Sequence, residues 1–311
     1  ASVAVVTKMM GGDREQIMAA ISHSWVDGSS LRTYRHAPNA GSRKSWAAGD
    51  ATSRAVHLAD MAMRGEMGIP GVLSAPQWGF YDVSFSQTNA DLKLKASEDR
   101  KFKFQRPYGE YVMENILFKI SFPAEFHSQT ACEAAVRLHP EVKDRLDDIE
   151  RIVLTTHESA IRIISKVGAL ANPADRDHCL QYMVAVPLAF GNLIAEHYED
   201  DFHVAHPIID ALRDKMEVHE NERYSREYHD PEKRSIANAI QVFFNDGIST
   251  ENIEVEYPIG HRLRREEGIP VLEEKFKSNL ATRFPADRVD SIYALCTDKE
   301  TLEATPVHEF M

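Results

Sequence analysis

Four stretches of this chain carry side chains that could move protons or bind anions. The first is Lys119-Ile120-Ser121-Phe122-Pro123-Ala124-Glu125-Phe126-His127, which sets an amine, a carboxylate and an imidazole around one proline. General acid–base chemistry needs such groups held close together. A lysine among apolar residues is also open to a lowered pKa through desolvation. The alternative is an ordinary strand-to-helix connection with exposed polar side chains. The second is a basic segment from Arg32 to Asn39, with Arg35 and His36 inside it, continued by Arg43 and Lys44. Cations on a loop that runs into a helix N-terminus make an anion site, because unpaired backbone N–H groups add to the positive charge. Phosphate or carboxylate would suit it; a solvated basic loop is the alternative. The third is Asp175-Arg176-Asp177-His178 with Gln181-Tyr182. On one continuous helix His178 and Tyr182 share a face, either aimed into a cleft or serving as a cap and a core tyrosine. The fourth, Tyr257-Pro258-Ile259-Gly260-His261-Arg262, either borders a pocket or simply turns.

The elements that must position these groups are read from periodicity and punctuation. Asp13 caps a helix to about Trp25, with Ile17, Ile21 and Trp25 on one face. Gly28 to Gly49 reads as a polar loop, and a small-residue helix runs from Gly49 to Arg64, closed by Gly65. Gln87 to Lys103 reads as an exposed insertion and Tyr108 to Phe118 as apolar and helical. A helix from Glu125 to Leu138 follows Pro123, and Ile152 to Thr156 is β-branched and short, as a strand should be. Asp175 to His197 reads as a helix kinked at Pro187. Ser235 to Phe244 meets Asn245-Asp246-Gly247, after which Ile253, Val255 and Tyr257 alternate with glutamates, a hairpin signature. Helical spacing returns over Pro270 to Phe284 and Asp287 to Leu295. The order helices, mixed segment, helices predicts an α plus α/β fold: a large all-α domain with a smaller α/β domain inserted. The expected boundaries are 1–114 and 267–311 for the helical parts and 115–266 for the insert. Ala1 to Met10 is apolar and lacks an initiator Met and an N-cap, from which the chain is expected to be part of a longer protein.

Composition removes several functions. The 311 residues carry a net charge of −12, which repels nucleic acid and anionic membrane, so neither is an expected partner. No apolar run approaches the roughly 18 to 20 residues that span a bilayer. Cys132, Cys179 and Cys296 are far apart, which fits a reducing compartment and argues against both a disulfide framework and a cysteine-ligated iron–sulfur cluster. The 14 histidines show no His-Glu-x-x-His spacing and no zinc-type pairing with cysteine. His157, His203, His206, His219 and His229 lie among acidic residues and read as surface. Glycine-rich nucleotide loops and a Gly-x-Ser-x-Gly elbow are missing too. The histidine spacing gives no support to a bound metal.

Taken in order, Thr33 to Ala55, Gly79 to Phe85, Phe118 to Ala131, Asn172 to Ala185, Tyr228 to Arg234 and Val255 to Pro270 resemble the 2-methylcitrate dehydratases of the MmgE/PrpD family, which also holds cis-aconitate decarboxylases. The resemblance implies an all-α domain plus an α/β lid with the active site between them, a homodimer, a small tricarboxylate substrate and no cofactor. It implies propionate breakdown, in the cytoplasm of a bacterium or the mitochondrial matrix of a fungus. Lys44, Lys119 and Tyr182 match positions of the family's active-site pattern. Where the decarboxylase branch has histidine after Phe-Pro-Ala this chain has Glu125, with His127 two residues on, which favours the dehydratase branch. The family's Asp/Thr/His cluster and a further histidine lie upstream of where this chain begins. The expected roles are carboxylate binding by Lys44 and Lys119 with Arg35, proton transfer by His127 or Tyr182, and for Glu125 either orientation of His127 or contact with the substrate hydroxyl. His36, His178 and His261 are expected beside the substrate. The competing reading from another class is a non-catalytic, carboxylate-binding or structural fragment.

Overall fold

The computed structural model describes residues 1–26, 28, 31, 34, 43–84 and 116–310. The chain divides into two units, Ala1–Gly109 and Glu110–Met311. Of the expected domain boundaries, 114 falls outside the described residues and 266 falls inside a helix, Arg265–Ala281. The expected insertion over Gln87 to Lys103 and the basic residues Arg35 and His36 also lie outside the described residues.

In the first unit, α1 (Ser2–Met9), α2 (Arg14–Val26) and α3 (Arg43–Met63) pack on one another. Their shared core is Val3, Ala20, Ala55 and Ala62, small side chains that let backbones approach. The start of α2 is a reciprocal cap: Asp13 Oδ1 accepts from the Gln16 N–H at 2.9 Å, and Gln16 Oε1 accepts from the Asp13 N–H at 3.0 Å. Gly65 takes φ +97° just past α3, where a side chain would be strained. Both ends agree with the sequence reading. The onset of α3 does not: it begins at Arg43 rather than Gly49, so Lys44 stands in the first turn of a helix.

The second unit is built on a four-stranded sheet of order β2-β1-β3-β4, from β1 (Ile149–Thr156), β2 (Met216–Glu220), β3 (Asn238–Phe244) and β4 (Ile253–Val255). β1 and β2 are parallel and the other pairs antiparallel. The hairpin expected at Asn245-Asp246-Gly247 is present, with Gly247 at φ +82° and Phe243 bridging Ser249. Ile152, Leu154 and Thr156 alternate inward along β1. They face a core completed by α4 (Gln129–Val142) and α7 (Leu180–Phe190). Between β1 and β2 the chain runs through α5 (Glu158–Ile164), α6 (Pro173–Arg176), α7, α8 (Asp200–Ala205) and α9 (Ile208–Asp214). After β2 comes α10 (Glu222–His229), and after β4 come α11 (Arg265–Ala281), α12 (Ala286–Thr297) and α13 (Lys299–Ala304). The architecture is mostly helical with an α/β part, the fold class read from sequence.

The segment Asp175 to His197 departs from its expected single helix. Asn172 caps the short α6 by accepting from the Asp175 N–H, and Cys179 is extended, so the helix breaks before α7 starts. Pro187 is accommodated without a kink-driven loss. It cannot donate to the Met183 carbonyl, four residues back. The Cys132 thiol of α4 donates to that carbonyl instead, at 3.2 Å. Burial pushes the Cys132 pKa up to about 12, so the thiol keeps its proton. Gly191 ends α7 at φ +76°, and a Cβ there would sit 2.8 Å from the His139 ring, which itself is fixed to the Leu188 carbonyl at 2.9 Å. Gly191→Ala is expected to cost about 2 kcal/mol, combining left-handed strain with the clash. A lowered chemical-denaturation midpoint with unchanged slope is the expected readout; an unchanged midpoint would show that the imidazole yields freely.

Candidate functional site

The turn ahead of α4 is fixed from several sides. Gln129 Nε2 donates to the carbonyls of Phe122 and Ala124 at 3.0 and 2.8 Å, which holds Pro123 and its neighbours in place. Glu125 then caps a 3-10 turn, its Oε2 accepting from the His127 N–H at 2.8 Å. Ser128 Oγ donates to the Glu125 carbonyl at 2.6 Å, and Asn238 Nδ2 of β3 donates to the His127 carbonyl at 2.8 Å. Both ends of the His127 residue are thereby tied to the sheet and to the turn.

The His127 imidazole is 8% exposed, and its Nδ1 lies 2.8 and 3.0 Å from the two Glu125 carboxylate oxygens. A carboxylate only accepts, so Nδ1 carries a proton. Nε2 lies 3.1 Å from the Tyr228 hydroxyl of α10. Burial opposes ionisation of Glu125, but the hydrogen bond, charge and N–H of His127 outweigh it, helped by the charge of His178, and hold the carboxyl below its usual range.

Beneath this pair lies His157, which directly follows β1 and is fully buried. Its ring stacks on Tyr228 at 4.6 Å and 14° and lies 5.0 Å from His127. Among the described residues neither ring nitrogen has a hydrogen-bond partner. Burial, then the neighbouring charge of His127, lower its pKa to about 3, so it is neutral near pH 7. The expectation of a surface His157 is therefore corrected. His203 is also mostly covered, 2.9 Å from Asp210, whereas His219 is exposed as expected.

The remaining expected site residues separate. Lys119 Nζ sits 4.9 Å over the Phe126 ring, next to the turn, while its carbonyl accepts from Lys275 at 2.7 Å. His178 pairs with Asp177 at 2.8 Å and acts on Glu125 through its charge. It precedes α7, so it does not share a helix face with Tyr182, contrary to the sequence reading. Tyr182 is fully buried, its hydroxyl donating to the His197 carbonyl at 2.6 Å. That is the core-tyrosine alternative, and the cleft-facing reading is corrected. His261 is 1% exposed; its Nδ1 accepts from the Leu263 N–H at 3.2 Å, capping a 3-10 turn. Burial lowers its pKa to about 4. It stands as a cap rather than at a pocket. Lys44 is half-exposed and belongs to the first unit.

Sequence reasoning missed Tyr228 and His157. The only signal for Tyr228 was its place at the head of a family-like segment, 101 residues from His127. Among the described residues no three His, Cys, Asp or Glu side chains group as metal ligands, and no helix is long and apolar enough to cross a membrane. Chemically, the carboxylate–imidazole–phenol row can accept or deliver one proton, with Lys119 supplying a nearby fixed cation.

The chain matches the MmgE/PrpD N-terminal domain over residues 1–93 and the MmgE/PrpD C-terminal domain over residues 122–299. It is 57% identical over its whole length to the 2-methylcitrate dehydratases of Escherichia coli (strain K12) and Cupriavidus necator. It is 58% identical over 94% of its length to a mitochondrial 2-methylcitrate dehydratase of Yarrowia lipolytica. It spans 62% of the length of each of the two bacterial proteins and 55% of the fungal one.

Burial of a neutral imidazole makes stability depend on acid. The unfolded chain protonates His157 near 6.5 and the folded one near about 3, so the unfolded state binds more protons between those values. Stability is expected to fall as pH drops from about 6.5 toward 3, by up to about 1.4 kcal/mol per unit for this group. His261 acts in the same direction down to about 4. Melting temperatures across that range should fall less steeply in His157→Phe; an acid limb of unchanged slope would remove His157 as a cause.

Proposed function

The chain belongs to the MmgE/PrpD family, and from that membership we propose that it acts as a 2-methylcitrate dehydratase, converting 2-methylcitrate to 2-methyl-cis-aconitate and water. The observation that carries this reading is the part-buried Glu125–His127 pair with Lys119 over the ring of Phe126 between them in sequence, in a chain 57% identical to proteins of that name.

Dehydration requires loss of a proton from a carbon next to a carboxylate, breakage of the C–O bond with its electron pair on oxygen, and protonation of the departing hydroxide. The carbon–hydrogen bond is a weak acid, so the negative charge that develops needs fixed positive charge nearby. Lys119 supplies it from the second unit, and Lys44, in the first turn of α3, is a further proposed carboxylate ligand. His127 handles the proton, because its Nδ1 is already committed to Glu125 and its Nε2 lone pair is the group left to accept. Glu125 orients the ring and stabilises the imidazolium when it forms. No step needs a metal or an organic cofactor. A homodimer is part of the same reading and is read out by sedimentation.

The test incubates the chain with 2-methylcitrate and follows the ultraviolet absorbance of the conjugated product. His127→Gln is expected to lower kcat by about 10²-fold or more. Lys119→Ala is expected to lower kcat about tenfold or more, as for loss of a charge that stabilises the transition state. Turnover that survives both substitutions, or a wild-type chain that forms no product, would overturn the proposal.

A further inference from the structure

The hydroxyl of Tyr228 lies 3.1 Å from His127 Nε2, the ring nitrogen that Glu125 does not engage. With Nδ1–H given to Glu125, the neutral ring presents only a lone pair at Nε2, so the phenol is the donor in that contact. Tyr228 is only half-buried, whereas the His127 it bonds to is buried, so of these two it is the residue that reaches solvent. Its placement is built in. The Asn221 N–H at the head of α10 donates to the Thr156 carbonyl at 2.8 Å, and Ser225 Oγ accepts from the Glu158 N–H at 2.9 Å, which pins α10 to the end of β1. The stacked His157 ring then sets the plane of the phenol.

We propose that Tyr228 is the catalytic residue that carries the proton between substrate and His127, and that His157 is its positioning residue. The inference rests on the dehydratase reading for its substrate and goes beyond it in naming the group in contact. In the forward step the Tyr228 oxygen takes the proton from the carbon while its own proton passes to His127 Nε2. The carbon keeps the electron pair, which forms the double bond as the C–O bond breaks. The imidazolium then returns its proton through Tyr228 to the departing hydroxide, which leaves as water and restores the row.

A cation acts on the phenol from the turn after α10. The turn after α10 closes through the Arg234 N–H, which donates to the Asp230 carbonyl at 2.8 Å, and brings Arg234 back toward Tyr228. Arg234 has φ +50°, a conformation that side chains disfavour and that concentrates at functional positions. Its side chain is exposed and forms no ion pair among the described residues. Burial and the Glu125 charge raise the phenol pKa while the Arg234 charge opposes them, so the phenol is protonated at neutral pH, as a relay needs.

The experiment is Tyr228→Phe in the full chain, read twice. Nitrogen resonances of the His127 ring, assigned by their loss in His127→Gln, are expected to show the proton on Nδ1 in both proteins. Nε2 should move in Tyr228→Phe to the position of an acceptor that has lost its donor; an unmoved Nε2 overturns the relay. Turnover of 2-methylcitrate is expected to fall about 10²-fold in kcat with KM within about threefold, and an unchanged kcat also overturns it. His157→Ala should lower kcat about tenfold and His157→Phe, which keeps a stacking ring, should restore most of it; equal loss in both, with melting curves showing folded protein, removes His157 from the positioning role. The nitrogen shift reads the relay whichever substrate is turned over. Failure of the relay is thus distinct from failure of the 2-methylcitrate reading.

Discussion

The seam between α4 and α7 is the contact on which the second unit depends. Ala131, Cys132, Ala134 and Ala135 present small, fully buried side chains, so the two helices approach closely. Close approach brings the Cys132 thiol to the Met183 carbonyl that Pro187 leaves without a partner. A buried carbonyl with no donor costs about 1–3 kcal/mol, so the proline is tolerated only where the neighbouring helix supplies one. The same seam reaches the site. Ser128, at the head of α4, places its hydroxyl 3.2 Å from Met183 Sδ and bonds back to the Glu125 carbonyl. Packing of two apolar helices therefore sets the turn from which His127 projects.

Charge within the cluster is limited by what burial allows. An isolated carboxylate at the position of Glu125 would be driven to its neutral form. The side-chain and backbone N–H groups of His127 reverse that preference. Once a positive charge can sit on His127, a second one 5.0 Å away on His157 is opposed both by burial and by repulsion. The two imidazoles thus divide the labour. His127 takes the hydrogen bonds, and His157 stays neutral and serves as a flat surface. The lack of hydrogen bonds at both His157 nitrogens among the described residues fits a ring held for its shape and its face.

The local devices of the fold were legible in the sequence, and the long-range ones were not. Asp13 with Gln16, Gly65, and Asn245-Asp246-Gly247 act through bonds within a few residues, and each did what its sequence neighbourhood implied. The turn at Pro123 to His127 was legible as a group for the same reason. His157 was misread because its neighbours in the chain are polar, whereas its environment is made by Tyr228, which arrives from another element. Tyr182 was misread by assuming a continuous helix through Cys179. A better signal lay in the chain itself: Leu180 to Leu188 is apolar on nearly every side, the pattern of a helix buried all round, and all nine residues are buried. His261 carried only a turn-like context, and its capping bond to Leu263 is the local use of such a residue.

The chain's acidity and its reading as a binder of polyanions are compatible because the two act over different distances. Charges more than about 8 Å apart across solvent are largely screened at physiological ionic strength, so the net −12 weakens encounter more than it weakens contact. At contact range the balance is reversed. Lys119 lies over Phe126 beside the turn that carries Glu125 and His127, the Arg234 charge acts on Tyr228, and the His178 charge acts on Glu125. Lys119 and Arg234 thus add positive charge beside a cluster in which the Glu125 carboxylate is already bonded to His127. Under the proposed reading, pairing of the Glu125 carboxylate with the side chain and N–H of His127 is what would let an acidic protein admit an acid beside this turn.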